Sequence, residues 1–268
     1  MPQQVHAVPV LSDNLVWLLE GADRRCVVVD LGQAEPVLAA LAESRLTPVA
    51  VLITHHHADH TAGLAAFLRV YPVPVFGSAH ESSPFASQPV ADGAVIDLPG
   101  FPPLTVWHTP GHTRGHLCFV TEGVAFTGDT LFTAGCGRLF EGSAAQMSRS
   151  LARLAALPAP TRICCGHEYT ADNLRFAAFL EPDNPAIAER VTQLQTQGAA
   201  SGLAAAAAPP LSVELATNPF LRLSEPSVLS AIAAHGGQPP LSDAERFALL
   251  RRWKDDYDGL APLPEQTA

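Results

Sequence analysis

Short apolar, β-branched runs alternate with turn residues through the first two thirds of the chain. They lie at Leu15–Leu19, Cys26–Asp30, Val49–Ile53, Val73–Phe76, Leu104–His108, Leu117–Thr121, Val124–Phe126 and Arg162–Cys165. Gly, Pro and Asp bound them, so they are predicted to be strands. Helical spacing over Pro36–Ser44, Ala62–Val70 and Ala144–Leu157 predicts helices between some of them. Strands and helices mixed in this way predict an α/β sandwich, with sheets covered by helices.

After about residue 168 the strand pattern stops. Helical patterns follow at Thr170–Phe179, Pro185–Gln197, Pro226–His235 and Ser242–Lys254. Ser242 and Glu245 have the spacing of a capping box at the start of the last one. Between them Gly198–Pro210, an alanine run ending in Pro-Pro, reads as a linker or frayed helix end. The expected organisation is an α/β domain over 1–168 and a smaller all-helical one over 169–268.

Composition supports a folded chain: 47% of the 268 residues are hydrophobic and only 16% are charged. The net charge of -10 argues against nucleic acid or an anionic membrane as partner. It leaves room for an anionic small molecule, because a few cations can dominate a pocket. Five cysteines, odd in number and without a CxxC, read as reduced buried thiols. The N-terminal residues do not read as a signal peptide, and no run of about 18 apolar residues occurs, so a cytoplasmic location is expected.

The chemistry concentrates in one segment. Four of the eleven histidines fall within Thr54-His55-His56-His57-Ala58-Asp59-His60-Thr61, between a predicted strand and a predicted helix. Side chains two apart in an extended segment point the same way, so His55 and His57 can converge on one metal while His56 points elsewhere. Asp59 and His60, where the chain turns into the helix, can address a second. Further candidate ligands follow other predicted strands: His112 in TPGHTRGH, Asp129 in FTGDT and His167 in CCGHEY. Strand end, turn, ligand is a repeated device that puts donors on a rigid scaffold facing open space.

These motifs, in this order, resemble the metallo-β-lactamase superfamily. More narrowly, the chain is similar to the glyoxalase II (hydroxyacylglutathione hydrolase) family. That narrower likeness rests on Ala134–Gly142 (AGCGRLFEG), on EPDN at 181–184, on NPFLR at 218–222 and on RRWKD at 251–255. The resemblance spans about residues 5–258 and implies an αββα sandwich with a helical C-terminal domain. It implies that His55, His57 and His112 hold one divalent ion and that Asp59, His60 and His167 hold another. Asp129 would bridge the two. Zinc is the usual metal of the family, with iron or manganese also found, and nitrogen and oxygen donors suit all three. Asp59 and Asp129 would then be the carboxylates of the catalytic centre. Arg138, Phe140, Tyr169, Arg251 and Lys254 would bind the glutathione part of the substrate. Two departures stand out: Phe140 replaces a tyrosine of some members, and Leu15 stands where an aromatic is common.

Two divalent ions carry four positive charges, against three from Asp59, Asp129 and a hydroxide. The surplus favours ionising a bound water near neutral pH, and the histidines must be neutral to bind. Attack on a thioester would expel a thiolate, whose ordinary pKa of about 8.5 removes the need for a strong general acid. The expected activity is hydrolysis of S-(2-hydroxyacyl)glutathione, such as S-D-lactoylglutathione, by a monomer, as in methylglyoxal detoxification. Rival readings are a one-metal persulfide dioxygenase, a lactone or β-lactam hydrolase, and a non-catalytic metal-binding protein. The intact seven-residue ligand set and the distant RRWKD segment count against them.

Overall fold

The computed structural model describes residues 4–81, 86–197, 208–236 and 241–260. The first sheet holds six strands in sequence order: β1 (Gln4–Val10), β2 (Asn14–Glu20), β3 (Arg25–Val29), β4 (Thr47–Leu52), β5 (Val75–Ser78) and β6 (Gln88–Val90). β1 to β3 pair antiparallel, and β3 to β6 pair parallel. The second sheet contains β7 (Val95–Ile96), β8 (Leu104–His108), β9 (Leu117–Thr121), β10 (Val124–Gly128) and, after the hairpin of β11 (Leu131–Phe132) and β12 (Gly135–Cys136), β13 (Arg162–Cys165). Its order is β13-β10-β9-β8-β7, with β10 and β13 parallel.

The apolar runs look continuous in sequence because both faces of each sheet are covered. Within β2, Leu15, Trp17 and Leu19 enter the core between the sheets, while Val16 and Leu18 face outward. The outward set packs on α1 (Ala34–Ser44) and α3 (Leu64–Val70), the latter preceded by the single turn α2 (Ala58–Thr61). From the second sheet, Leu117, Phe119, Val124 and Phe126 meet β2 to β4 across the central core. Cys118, Ala125 and Ile163 point to the opposite side, where α4 (Ala144–Ala155) covers them.

The helices beyond residue 168 share that outer layer. Among the described residues they are α5 (Thr170–Leu180), α6 (Pro185–Gln197), α7 (Leu211–Thr217), α8 (Pro226–Ala234) and α9 (Asp243–Leu260). Phe176, Leu211, Phe220, Val228, Ile232, Phe247 and Leu250 join Met147 and Leu151 of α4 in one buried cluster. The Ser242–Glu245 capping box forms, with Ser242 N–H donating to Glu245 Oε2 at 2.8 Å. Most of the segment read as a linker lies outside the described residues. Its end docks on β13 instead: Ile163 N–H donates to Pro209 O at 2.9 Å, and Leu211 N–H donates to Thr161 O at 2.7 Å.

Candidate metal centre

The seven candidate ligands meet where β4, β10 and β13, together with the turn after β8, deliver them to one end of the sandwich. His55 Nε2 lies 3.0 Å from His57 Nδ1, which lies 3.1 Å from His112 Nε2. Beside them, His60 Nε2 is 3.3 Å from His167 Nε2 and 3.3 Å from Asp59 Oδ2, and His167 Nε2 is 3.2 Å from that same oxygen. Asp129 stands between the groups, its Oδ2 3.4 Å from both His112 Nε2 and His167 Nε2, its Oδ1 3.4 Å from His60 Nε2. Two of these clusters, His55–His57–His112 and Asp59–His60–His167, have the compactness needed to share an ion.

Hydrogen bonds behind the rings decide which nitrogen faces inward. Thr54 Oγ1 donates to Asp30, so it accepts from His55 Nδ1–H at 3.0 Å and leaves Nε2 bare. His60 Nδ1–H donates to Asp30 Oδ2 at 2.8 Å, His167 Nδ1–H to Asp13 Oδ1 at 2.7 Å, and His112 Nδ1–H to the Arg138 carbonyl at 2.9 Å. Each bond occupies Nδ1–H and turns Nε2 to the centre, where its lone pair is available once that nitrogen is unprotonated. Nitrogens about 2.1 Å from a tetrahedral ion lie about 3.4 Å apart, close to the spacings seen here. Asp129 Oδ1, buried, has no hydrogen-bond partner among the described residues. Converging lone pairs and an orphaned carboxylate oxygen make this donor set suited to metal ions.

Electrostatics divides the histidines. Burial, reinforced by neighbouring imidazoles, holds His55 well below the ordinary histidine range. Burial also lowers His57 and His112, with the Asp129 carboxylate opposing it. At His167 burial acts the same way, but Asp129 and Asp59 outweigh it and push the imidazolium up to about 10. His60 is raised too: burial is overcome by the charges of Asp129 and Asp30. Burial opposes the ionisation of Asp59 and Asp129, yet hydrogen bonds and charge from His60 and His167 hold both below the usual carboxylate range.

Several participants lie outside the seven candidate ligands. Asp30, at φ 60°, accepts from Thr54 N–H at 2.9 Å as well as from His60, so one carboxylate orders two ligand segments. Its only sequence signal is its place at the end of a strand, the device already seen for the ligands. Asn14 Nδ2 donates to Asp59 Oδ2 at 2.8 Å. His116 Nε2 accepts from Asp129 N–H at 3.1 Å, which makes it a support for that candidate ligand. His56 points away, as its spacing predicts, with Nε2 3.0 Å from Glu141 Oε1. Glu81 joins the two histidine-bearing turns, accepting from His56 N–H at 3.0 Å, from Gly115 N–H at 2.9 Å and from the Thr113 hydroxyl. All five thiols are buried; burial pushes Cys136, the one lining the cleft, up to about 11, so none is a ready nucleophile.

A cleft of about 620 Å³ opens over the centre, and Arg138, Phe140, Tyr169, Arg251 and Lys254 all line it. The exposed Phe140 turns its ring edge-on to His57 and His112, with centroids 5.6 and 5.2 Å apart. Tyr169 stacks on His167 at 4.8 Å. Arg251 is buried, donating from Nη1 to Cys136 O at 2.9 Å and pairing through Nη2 with Asp255 at 3.0 Å. Lys254 is buried over the Phe176 ring, and Arg138 lies 3.5 Å from Asp255.

Comparison with known proteins agrees with this architecture. Residues 11–167 match the model of the metallo-beta-lactamase superfamily, and residues 168–257 match that of the hydroxyacylglutathione hydrolase C-terminus. A hydroxyacylglutathione hydrolase of Alkalilimnicola ehrlichii is 49% identical, the match covering 94% of this chain and 98% of that one. One from Pseudomonas aeruginosa is 46% identical over 95% of this chain and 99% of its own. The chain belongs to the hydroxyacylglutathione hydrolase family. Among solved structures, ETHE1 from Myxococcus xanthus superposes with a TM-score of 0.62 at 25% identity, covering 94% of this chain and 99% of that one. The BLEG-1 B3 metallo-beta-lactamase superposes at 0.61 with 23% identity, covering 81% and 99%, and supports the fold alone. Among the described residues no helix is long and apolar enough to cross a membrane.

Proposed function

We propose that this protein hydrolyses S-(2-hydroxyacyl)glutathione, such as S-D-lactoylglutathione, to glutathione and a 2-hydroxy carboxylate, with two divalent ions, zinc above all. The observation that carries the reading is the single cleft that joins both donor clusters to Arg138, Phe140, Tyr169, Arg251 and Lys254. His55, His57 and His112 would hold one ion, Asp59, His60 and His167 the other, with Asp129 between them. When bound, the ions would supply Lewis acidity and a water ionised near neutral pH.

The remaining work falls to side chains. Burial, reinforced by the charge of Asp13, raises the Tyr169 phenol, so at neutral pH it keeps its proton and can donate to the substrate. Arg138 presents an accessible guanidinium for a glutathione carboxylate. Phe140 covers His57 and His112 with an apolar edge and narrows the approach of water. Residues 1–168 would form the catalytic unit and 169–268 the substrate-binding one, in a cytoplasmic monomer. Zinc-reconstituted protein should cleave S-D-lactoylglutathione, and Asp129→Ala should reduce that to background. Inactivity of the wild type on glutathione thioesters, with oxygen uptake on glutathione persulfide, would sink this reading. Arg138→Ala should raise KM about tenfold with kcat little changed, since a rim cation binds ground and transition states alike.

A further inference from the structure

The β11–β12 hairpin links Asp129 to Arg138, whose carbonyl sets the His112 tautomer. Its backbone is gripped residue by residue from the helices. Asn218 Nδ2 donates to Phe132 O at 3.1 Å and to Gly135 O at 2.9 Å. Asn173 Nδ2 donates to Thr133 O at 2.9 Å. Ala134 N–H donates to Glu214 Oε2 at 2.7 Å, and Arg251 reaches Cys136 O. Five consecutive residues are thus each held by a side chain from beyond residue 168. Glu214 and Asn218 are 0% exposed, and Arg190 pairs with Glu214 at 2.8 Å, so the network is buried and charge-balanced.

The grip has a geometric purpose. Ala134 sits at φ 52°, a conformation a non-glycine residue rarely adopts, and the Glu214 carboxylate holds its N–H there. Just past the hairpin, Gly137 packs so tightly that a Cβ on it would come 2.0 Å from Asp129 O and 3.0 Å from His112 Nδ1. Any slip of the hairpin therefore moves atoms at the centre itself. A fully satisfied buried network specifies one loop geometry, and such sites tolerate errors of only about 0.5 Å.

We propose that Asn173, Glu214 and Asn218 are positioning residues for the metal centre, acting through this hairpin on Asp129 and on the carbonyl that orients His112. The proposal rests on the metal-centre reading above. Its test is zinc release from the loaded full-length protein to a chromogenic chelator, alongside melting temperature and steady-state kinetics. Asn218→Ala and Asn173→Ala should each release zinc about tenfold faster, the size expected when a ligand's support is removed. Asn218→Ala should also lower kcat about tenfold with KM nearly constant. Asn184→Ala is the control, because among the described residues its side chain serves Ala216, Ala186, Ile187 and the Glu181 carboxylate, all within the helical region. It should lower the melting temperature and leave zinc release at the wild-type rate. If Asn218→Ala does not fold, Asn173→Ala alone decides. Wild type that holds no zinc overturns the metal-centre reading and this proposal with it. Wild type that holds zinc, with folded hairpin variants releasing it no faster than Asn184→Ala, overturns this proposal alone.

Discussion

His60 and His167 keep a proton near neutral pH in the metal-free protein, because Asp129, helped by Asp30 at His60 and Asp59 at His167, outweighs the burial of both rings. His55, His57 and His112, lowered by burial, are already neutral there. Coordination requires neutral imidazole, so an ion entering the Asp59–His60–His167 cluster must displace protons, whereas one entering the other cluster displaces none. The sign follows: a raised pKa makes the proton a competitor, and the competition fades as pH rises towards about 10 for His167. Affinity at that cluster should therefore climb with pH between about pH 6.5 and 8.5, by about tenfold per pH unit from the His167 proton alone. Affinity at the His55–His57–His112 cluster should stay nearly flat. Zinc titrations across that range, with calorimetry in buffers of different ionisation heat, measure both, and equal slopes would refute the assignment. Asp30→Asn should cost about tenfold to a hundredfold in zinc affinity, since it weakens the support of both His55 and His60. Unchanged affinity would show that Thr54 and the backbone alone hold these rings.

At the scale of elements, strand-end turns deliver the candidate ligands, and two glycines make the turns close enough. Gly128 ends β10 at φ 46°, and a Cβ there would come 2.6 Å from Thr54 Oγ1. A Cβ on Gly166 would come 2.4 Å from Asp129 Oδ1 and 2.8 Å from His60 Cε1. Gly166→Ala should consequently lose most bound zinc while keeping the fold, checked by metal analysis and circular dichroism; full zinc occupancy would contradict the packing. The strands and candidate ligands at these turns were readable because donor, turn and apolar run are adjacent in sequence. Asp30 was not, because its partners Thr54 and His60 lie 24 and 30 residues away and an Asp after a strand is ordinary. β1 was missed because Pro9 interrupts its apolar pattern, which the edge of a sheet tolerates. α7 was missed because it is a short helix whose Glu214, polar in sequence, is fully buried against Arg190. The cleft residues Arg138, Arg251 and Lys254 were found by likeness to a family; the pattern of Arg251, Arg252 and Lys254 by itself equally describes a charged helix face.

For the whole molecule, the question is whether the helices are an accessory or part of the fold. The outer face of the second sheet presents Cys118, Ala125 and Ile163, and these share one cluster with Phe176, Phe220, Phe247 and Leu250. Removing the helices would uncover Met147, Leu151 and Leu154 of α4 and the part of that face α4 does not cover, a larger apolar patch than a soluble monomer carries. The buried groups gripping the β11–β12 hairpin would go with them, leaving its carbonyls unpaired. A chain ending at Glu168 should thus aggregate and fail to hold zinc, although it keeps all seven candidate ligands. The same reasoning expects one cooperative unfolding transition for the full chain. Trp17 lies in the core between the sheets and Trp253 packs among the helices, so single-tryptophan variants report on each region separately. Coincident denaturant midpoints for the two would support a shared fold. A soluble, zinc-binding fragment, or midpoints well apart, would mean instead that the sandwich stands alone and that the helices serve only the substrate.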